Sequence, residues 1–208
     1  MLRCVLASSS RARLATMRAA GVPVDVIVPG VDETCDIPDT GERVLELARR
    51  KGEAGRAVIG DRPTTPTVLI AADTMLDMGG VPYGKPHSAE VARQRLHEMS
   101  GSSGTLYTGH HVAVSLGDDG WRWVDGTAAT TVRFATMTDD EIEAYLATGE
   151  PLEVAGSFTI DGFGGPFIEG IDGDHHNVVG LSLPLVRHML AQLGVQWTDL
   201  WDSAPHHK

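Results

Sequence analysis

The serine-rich turn near the start of the chain has the composition of an anion-binding site. Ser8, Ser9 and Ser10 follow a short apolar run and precede Arg11 and Arg13 at the predicted start of a helix. Free backbone N–H groups at a helix start, serine hydroxyls and arginine side chains all bind anionic oxygens. The alternative is an ordinary serine N-cap with exposed arginines, and this segment alone favours that alternative. The spacing is not that of a Walker phosphate-binding loop.

One carboxylate, Asp73, directly follows the apolar run Val68–Ala72. The run predicts a buried central strand that ends at Asp73. Open α/β sheets bind ligands beyond the carboxyl ends of their strands, so Asp73 is placed to bind a cation or to accept a proton from water. The alternative is a turn-forming aspartate that caps the Thr74 amide. Burial beside the strand end favours the functional interpretation.

Two lysines and an acidic segment add groups that bind phosphate and metal. Lys51 and Lys85 are isolated basic residues of an acidic chain, and Lys85 lies in a rigid Gly-Lys-Pro turn. The segment 31–36 contains Glu33 among several carboxylates, which suit Mg²⁺ together with water. Taken singly, each lysine is better explained as a solvated surface residue and the segment as a solvated loop. In combination with the serine turn and Asp73, they form the inventory of phosphoryl-transfer chemistry.

The remaining metal-ligating residue types do not form a predicted site. The pairs His110–His111 and His175–His176 invite a zinc interpretation, but neighbouring side chains on a strand point to opposite faces. No Cys/His set with zinc-ligand spacing accompanies them. Cys4 and Cys35 lack the context of a nucleophilic cysteine, so we interpret both as buried fillers.

Composition excludes several classes of protein. The 208 residues, 42% of them hydrophobic and 22% charged, describe an ordinary globular chain that can bury one sizeable core. A net charge of −11 argues against nucleic acid as a partner, because that affinity depends on basic groups that neutralise phosphates. No apolar run reaches membrane-spanning length, the start lacks a signal peptide, and two cysteines fit a reducing compartment. We therefore expect a cytoplasmic protein with no membrane partner.

The predicted elements alternate between strand and helix. Gly21 caps the first helix, and the alternating valines from Val22 to Val28 predict a strand with one buried face. A second helix runs from about Gly41 to Gly52 with Thr40 as its cap, and 106–134 predicts a long hairpin broken at 117–120. Further helices begin at Ser88, Thr138 and Ser182. This order predicts an α/β fold whose mixed sheet has flanking helices.

These residues resemble the Maf family of nucleotide pyrophosphatases. The family's opening pattern, Leu-Ala-Ser-x-Ser-Pro-Arg-Arg, is matched closely by residues 6–13. Further family marks follow in order from residue 72 to residue 184: Ala72-Asp73-Thr74, Gly84-Lys85-Pro86, Ser100-Gly101, Thr108-Gly109, Glu150-Pro151, Ala155-Gly156, Phe158-x-Ile160-x-Gly162 and Asn177 to Pro184. The ordered set is far more specific than any single element, and it covers residues 2 to about 190.

The resemblance implies a fold, a reaction and a set of roles. The fold is the elongated one of inosine triphosphate pyrophosphatases, with two lobes around a central cleft, and we expect a single domain over residues 1–195 with a partly disordered tail, 196–208. A nucleoside triphosphate or deoxynucleoside triphosphate, canonical or modified, would be hydrolysed to the monophosphate and pyrophosphate. Asp73 would be the proton acceptor, and Asp73 and Glu33 the ligands of Mg²⁺ or Mn²⁺. Phosphate-binding residues would be Ser8, Arg13, Lys51 and Lys85.

The chain departs from the family pattern at positions that affect specificity. Ala12 stands where the family usually has its first arginine, and Arg11 where it has proline. Asp161 replaces a glutamine that members preferring thymidine or uridine triphosphate use near the base. We therefore take Ala12, Thr74 and Asp161 as the candidate specificity residues and transfer no base preference.

Three other functions compete with the hydrolase. A nucleotide-binding regulator of cell division, acting through a protein partner with little hydrolysis, is kept open by Ala12. A nucleic-acid-binding module is disfavoured by the net charge. A phosphatase releasing orthophosphate would differ in its product. A homodimer is suggested by the family resemblance alone.

Overall fold

A seven-stranded mixed sheet runs through the residues that the computed structural model describes, 2–117 and 120–201. The strands are β1 (Arg3–Ala7), β2 (Asp25–Ile27), β3 (Thr67–Met78), β4 (Val81–Tyr83), β5 (Ser103–Ser115), β6 (Arg122–Phe134) and β7 (Ile168–Asp172). Their order is β2-β1-β3-β5-β6-β7, and β4 pairs with β3 outside this path. β1 is parallel to both β2 and β3, whereas all other pairs are antiparallel. The predicted α/β fold with a mixed sheet is confirmed.

Helices cover both faces of the sheet. They are α1 (Arg11–Ala19), α2 (Thr40–Ile59), α3 (Ala89–Met99), α4 (Asp139–Ala147), α5 (His175–Val179) and α6 (Leu183–Gln192), with short 3-10 helices at Glu150–Leu152, Ala155–Ser157, Gly165–Phe167 and Trp197–Leu200. Along β3, Val68, Ile70 and Ala72 pack with α1 and α6, while Leu69 and Ala71 pack on the face that α2 covers. This alternation is the two-residue period of a strand buried on both faces.

Apart from Leu69 and Ala71, which pack on the face that α2 covers, the buried apolar residues of β3 belong to two core regions. The first surrounds the residues up to Ala72, and the second begins at Leu76 and includes Leu106 and Phe134. Asp73 and Thr74 lie on β3 between these two regions. This division agrees with the expected two lobes and places the candidate catalytic carboxylate between them.

Three predicted boundaries were wrong. β3 does not end at Asp73 but continues to Met78, because β5 and then β4 supply hydrogen-bonding partners beyond that point. The second helix continues through Gly52 to Ile59, and Asp39 rather than Thr40 caps its start by accepting the Glu42 amide. The strand predicted over 22–28 is only three residues long, and Val26 and Val28 are exposed because β2 is an edge strand.

Turns and caps follow the sequence closely. The Gly79–Gly80 turn joins β3 to β4, and both glycines have positive φ, which a two-residue hairpin turn favours. Ser88, Thr138 and Ser182 cap α3, α4 and α6 with their side chains. The long hairpin is β5 and β6, and the two central residues of its predicted turn, 118 and 119, lie outside the described residues.

The C-terminal segment packs on the body of the fold as far as residue 201. Leu200 is buried among residues of the first core region, and the Trp201 indole donates a hydrogen bond to the Ala20 carbonyl at 3.0 Å. The rest of the predicted tail, 202–208, lies outside the described residues. Within the described part of the chain, no helix is long and apolar enough to cross a membrane.

Candidate active site

The candidate site begins where β1 ends and β3 continues. Ala7, the last residue of β1, pairs with Ala71 of β3, so the next residues of β3 have lost their parallel neighbour. Asp73 therefore lies just beyond the carboxyl end of β1, although it is inside a strand of its own. Because chains leave a parallel sheet at such points, they open a crevice for ligands. The prediction that Asp73 lies at the carboxyl end of a strand is therefore right for the neighbouring strand β1 and wrong for β3, which continues past it.

On the face covered by α2, one ammonium group joins two carboxylates. Lys51 Nζ lies 2.5 Å from Asp73 Oδ1 and 2.8 Å from Glu33 Oε1. The Lys51 and Asp73 side chains are only 13% and 11% exposed, whereas Glu33 is 62% exposed. Lys51 reaches this position because α2 packs along β3 and β5. Three of the residues expected at the site are therefore in direct contact.

On the opposite face, Arg13 organises a second group. Its guanidinium donates to Ser8 Oγ at 3.1 Å, to Thr74 Oγ1 at 2.8 Å and to the Gly180 carbonyl at 2.7 Å. Burial lowers the pKa of Arg13, but Asp73 and Glu33 act in the other direction, which shows that the two groups share an electrostatic environment. Ser8 also accepts the Ser10 amide, so the serine turn is folded around the arginine.

The site therefore straddles β3. Neighbouring residues of a strand point to opposite faces, so Asp73 meets Lys51 while Thr74 meets Arg13. A carboxylate and an ammonium on one side are combined with a guanidinium and two hydroxyls on the other. Such an arrangement can hold an anion and present a proton acceptor to it.

Two site residues were missed from the sequence as functional candidates. Thr108 of β5 lies 3.0 Å from Thr74 Oγ1 and donates to the Asn177 carbonyl at 3.3 Å. Asn177 in turn donates through Nδ2 to the Leu106 carbonyl and to Thr130 Oγ1. Thr108 and Asn177 are fully buried. The feature of the sequence that could have indicated them is the presence of a polar residue within an apolar segment. Both residues were named from the sequence only as parts of family motifs.

Three expected site residues do not join these groups. Lys85 is exposed in the turn after β4, Ala12 is half-buried in the first turn of α1, and Asp161 is exposed in the loop after the second short 3-10 helix. Within 2–117 and 120–201, no hydrogen bond or ion pair connects any of them to Asp73 or Arg13. The roles predicted for these three residues require a bound substrate that reaches them from the groups around Asp73 and Arg13.

The loop that carries Asp161 is built on Glu150. The Glu150 carboxylate accepts hydrogen bonds from Tyr145, Thr159 and the backbone of Phe163, with distances of 3.1, 2.5 and 3.1 Å. Burial alone would raise the pKa of Glu150, but these bonds outweigh it and lower the pKa. The loop is thus ordered around a charged carboxylate, a feature that the sequence did not reveal.

The donor set around Lys51 fits a hard divalent cation. Asp73 and Glu33 direct carboxylate oxygens to a common point that the Lys51 ammonium holds. Mg²⁺ uses one or two protein carboxylates and takes its other oxygens from water and substrate phosphates. In the described part of the chain, no group of three or more acidic, histidine or cysteine side chains is arranged to hold a metal. A site completed by phosphate is therefore the one these residues fit.

The paired histidines of β5 are structural in their contacts. His110 Nε2 accepts the Ser182 amide at 2.9 Å, and His111 Nδ1 lies 2.7 Å from Asp125 Oδ1. Burial lowers the pKa of His110 to about 4. Cys4 is buried as expected, and burial raises the pKa of its thiol to about 12, while Cys35 is half-buried.

Comparison with known proteins identifies close relatives. The family described as Maf-like protein matches residues 3–193. A nucleoside triphosphate pyrophosphatase of Streptomyces coelicolor is 50% identical over 203 residues, which are 97% of this chain and 96% of the relative. One from Salinispora tropica is 48% identical over 96% of this chain and 88% of its own. Among solved structures, the Staphylococcus aureus Ham1 protein aligns with 95% of this chain and 93% of its own, at a TM-score of 0.42 and 15% identity.

Proposed function

Because the chain belongs to the family of Maf-like proteins, we propose that it is a nucleoside triphosphate pyrophosphatase, which hydrolyses its substrate to a monophosphate and pyrophosphate. The observation that supports this most directly is the contact of Asp73 with Lys51 beside the Arg13 and Ser8 group. A carboxylate held next to fixed cations is what hydrolysis of a phosphoanhydride requires.

The proposed reaction uses Asp73 as the proton acceptor. Without nucleotide, its Oδ1 accepts from Lys51; in the reaction, Oδ2 is the oxygen that accepts the proton of the attacking water. The water oxygen forms a bond to the α-phosphorus, the bond from that phosphorus to the α–β bridging oxygen breaks, and pyrophosphate leaves. The proton lost by the water passes to Asp73. Positioning and charge neutralisation supply most of the rate in such reactions.

The remaining side chains hold the triphosphate. We propose that Lys51 turns its ammonium from the carboxylates to a phosphate, and that Arg13 and Ser8 bind from the other side of β3. Lys85, a point charge in an exposed turn, contacts the end of the triphosphate. With Lys51 turned away, Asp73 and Glu33 would hold Mg²⁺ or Mn²⁺, and a cation bound there would supply further positive charge against the phosphate oxygens.

The proposal extends to specificity and to the cellular setting. Ala12, Thr74 and Asp161 are the positions at which base and sugar preference would be set. A cytoplasmic location is supported by the two free cysteines, and a homodimer by the family resemblance alone. The net charge of −11 supports the absence of a nucleic-acid partner.

Product analysis tests the reaction. Purified protein is incubated with a panel of canonical and modified nucleoside triphosphates, with Mg²⁺, with Mn²⁺ or with a chelator, and the products are separated by chromatography. We expect equal amounts of monophosphate and pyrophosphate, formed only with metal. Diphosphate and orthophosphate would instead identify a phosphatase. No turnover of any nucleotide would favour the regulator of cell division that acts through a protein partner.

The Asp73→Asn variant tests the proton acceptor. The amide cannot accept the proton of water, so we expect kcat to fall by about 10²- to 10⁴-fold while the variant still binds nucleotide. The two Kd values are compared without metal, because Asp73 is also a proposed metal ligand. Asp77→Asn is the matched control: Asp77 lies four residues later on the same face of β3, where it accepts from Thr40 and the Gly80 amide. It should keep near-wild-type turnover. Normal turnover in Asp73→Asn would refute the assignment.

A further inference from the structure

Four residues form an unbroken chain of hydrogen bonds that leads from the anion group into the core. Arg13 Nη2 lies 2.8 Å from Thr74 Oγ1, which lies 3.0 Å from Thr108 Oγ1, which lies 3.3 Å from the Asn177 carbonyl. These linked hydrogen bonds begin at a guanidinium group, which only donates, and end at a carbonyl group, which only accepts. The direction of donation at the two threonine hydroxyls between them can therefore be deduced.

The Asn177 end of these linked hydrogen bonds is fixed in place. Asn177 donates through its side chain to the Leu106 carbonyl at 3.1 Å and to Thr130 Oγ1 at 3.0 Å, and its own carbonyl also accepts the Gly180 amide at 2.9 Å. Asn177 has no exposed surface. The acceptor offered to Thr108 is consequently part of the rigid core, and it lies where the hydroxyl of Thr108 can reach it.

These constraints set the direction of both hydroxyl protons. Thr108 is fully buried and has a single proton, which it donates to Asn177. The oxygen of Thr108 is then an acceptor for Thr74, and buried hydroxyls are normally satisfied in both capacities. Thr74 accepts from Arg13 and donates to Thr108, so its only proton is committed inside the protein.

We infer that Thr108, anchored on Asn177, is a positioning residue that makes Thr74 an acceptor-only group towards the substrate. Thr74 is half-buried and retains one lone pair. It therefore selects nucleotides that offer an N–H or O–H group from the base or the sugar, and it does not pair with phosphate oxygens, which only accept. This inference rests on the proposed nucleotide substrate and specifies how the site recognises it.

The test compares nucleotides that differ in one donor. Values of kcat/KM are measured for guanosine against inosine triphosphate, which lacks the 2-amino group, for uridine against N3-methyluridine triphosphate, which lacks the N3–H group, and for ribose against deoxyribose forms. In at least one pair, the wild type should prefer the member that carries the additional donor. We expect its kcat/KM to be higher by about tenfold, the contribution of one hydrogen bond. Thr108→Val frees the proton of Thr74, so that preference should disappear or reverse. Thr108→Ser restores the hydroxyl and should restore the preference.

Two further variants keep the result interpretable. Thr67→Val removes a fully buried hydroxyl elsewhere in the sheet, on β3, where it donates to the Thr65 carbonyl, and it should leave every preference unchanged. Thr74→Val removes the acceptor itself and should abolish the preference even if Thr108→Val does not fold. The inference is overturned if no pair is discriminated, or if Thr108→Val lowers kcat/KM equally for both members. A wild type without turnover would instead refute the proposed function.

Discussion

Lys51 shows how the site balances its charges before substrate arrives. Asp73 and Glu33 carry two negative charges, and Lys51 and Arg13 carry two positive ones, so these four side chains together are neutral. A bound triphosphate adds several negative charges to this neutral set. The additional positive charge must come from elsewhere, and we propose Lys85 and a divalent cation as its sources. The exposed position of Lys85, away from both carboxylates, suits that role.

His110 should make the stability of the protein depend on pH. Burial lowers the pKa of His110 to about 4 in the folded protein from an ordinary value of 6.5, because the buried ring stays neutral as it accepts the Ser182 amide. Between these values the unfolded chain binds a proton that the folded protein does not. The free energy of unfolding is therefore fully present above pH 6.5 and falls as the pH is lowered towards 4.

Urea unfolding of wild type and His110→Gln across this range checks the prediction. Glutamine keeps an acceptor for Ser182 but does not titrate, so the variant should lose less stability on acidification. The two curves should diverge by up to about 1.4 kcal/mol per pH unit. His188→Gln, which replaces an exposed histidine of α6, should follow the wild-type curve. Parallel curves for wild type and His110→Gln would show that His110 does not carry this effect.

Helix α2 is held at the site by two glycines that permit close approach. Gly109 of β5 lies so near the helix backbone that a Cβ atom there would be 2.3 Å from the Val44 carbonyl oxygen. Gly52 of α2 faces the His111 ring, where a Cβ atom would be 2.1 Å from Cδ2. Gly109 pairs with Asp73 across the sheet, and Gly52 follows Lys51. The same contacts that seat the helix therefore set the distance between Lys51 and Asp73.

Gly52→Ala should displace Lys51 as well as destabilise the fold. The His111 ring is held by Asp125 and cannot move away freely, so the added methyl group pushes α2 from β5. Overpacking of this kind costs about 1–3 kcal/mol. We expect a lower Tm in thermal unfolding and a lower kcat/KM at a temperature where the variant remains folded. Gly30→Ala, which adds a methyl group with no atom within 4 Å, is the control. An unchanged Tm in Gly52→Ala would contradict the packing argument.

These two glycines also show what the sequence does and does not predict. A glycine after an apolar helical face predicts a helix end, yet Gly52 is inside α2 because the need for close packing on His111 outweighs its low helix propensity. Caps such as Ser88 and Thr138 were predicted correctly because their hydrogen bonds are local. The sequence placed Lys51 and Asp73 at one site but did not predict their contact, since no local pattern encodes a contact across 22 residues.

The hydrogen bonds of Thr108 and Asn177 show a second feature that the sequence alone did not predict. Their hydrogen bonds join residues 69 and 71 positions apart, so neither periodicity nor propensity indicates them. The strand that carries Thr108 was predicted, and so was the apolar surrounding that forces its hydroxyl to find a partner. What the sequence lacked was the register of β3 against β5, which places Thr74 opposite Thr108.

The extent of the domain follows from the way the chain returns to its starting face. Leu200 is 2% exposed and packs in the core that contains residues of β1 and α1, and Trp201 bonds the end of α1. We therefore propose that the single domain includes residues 196–201, beyond the expected boundary at 195.

The charge of the whole molecule opposes the charge of its substrate. The chain has a net charge of −11, while the side chains that we propose to bind phosphate lie around Arg13 and Lys51. At an ionic strength of about 0.01 M, charges act over about 30 Å, so the approaching nucleotide is subject to the repulsion of the entire surface. At about 0.1 M the range is about 10 Å, and the local cations dominate near the site.

We therefore expect kcat/KM, measured with saturating metal, to rise as the ionic strength increases from about 0.01 M to about 0.1 M and to fall again towards about 1 M, where even the local attraction is screened. The value of kcat at saturating nucleotide serves as the internal control. It does not include the association of the nucleotide with the enzyme, so it should vary much less with ionic strength. A kcat/KM that falls steadily from the lowest salt would mean that the cations at the site outweigh the net charge at every distance. The maximum at intermediate salt is expected only if an acidic surface surrounds a site whose charge is made positive by Lys85 and the bound cation. A metal-bound nucleotide, with part of its charge neutralised, would then enter more readily than a free anion.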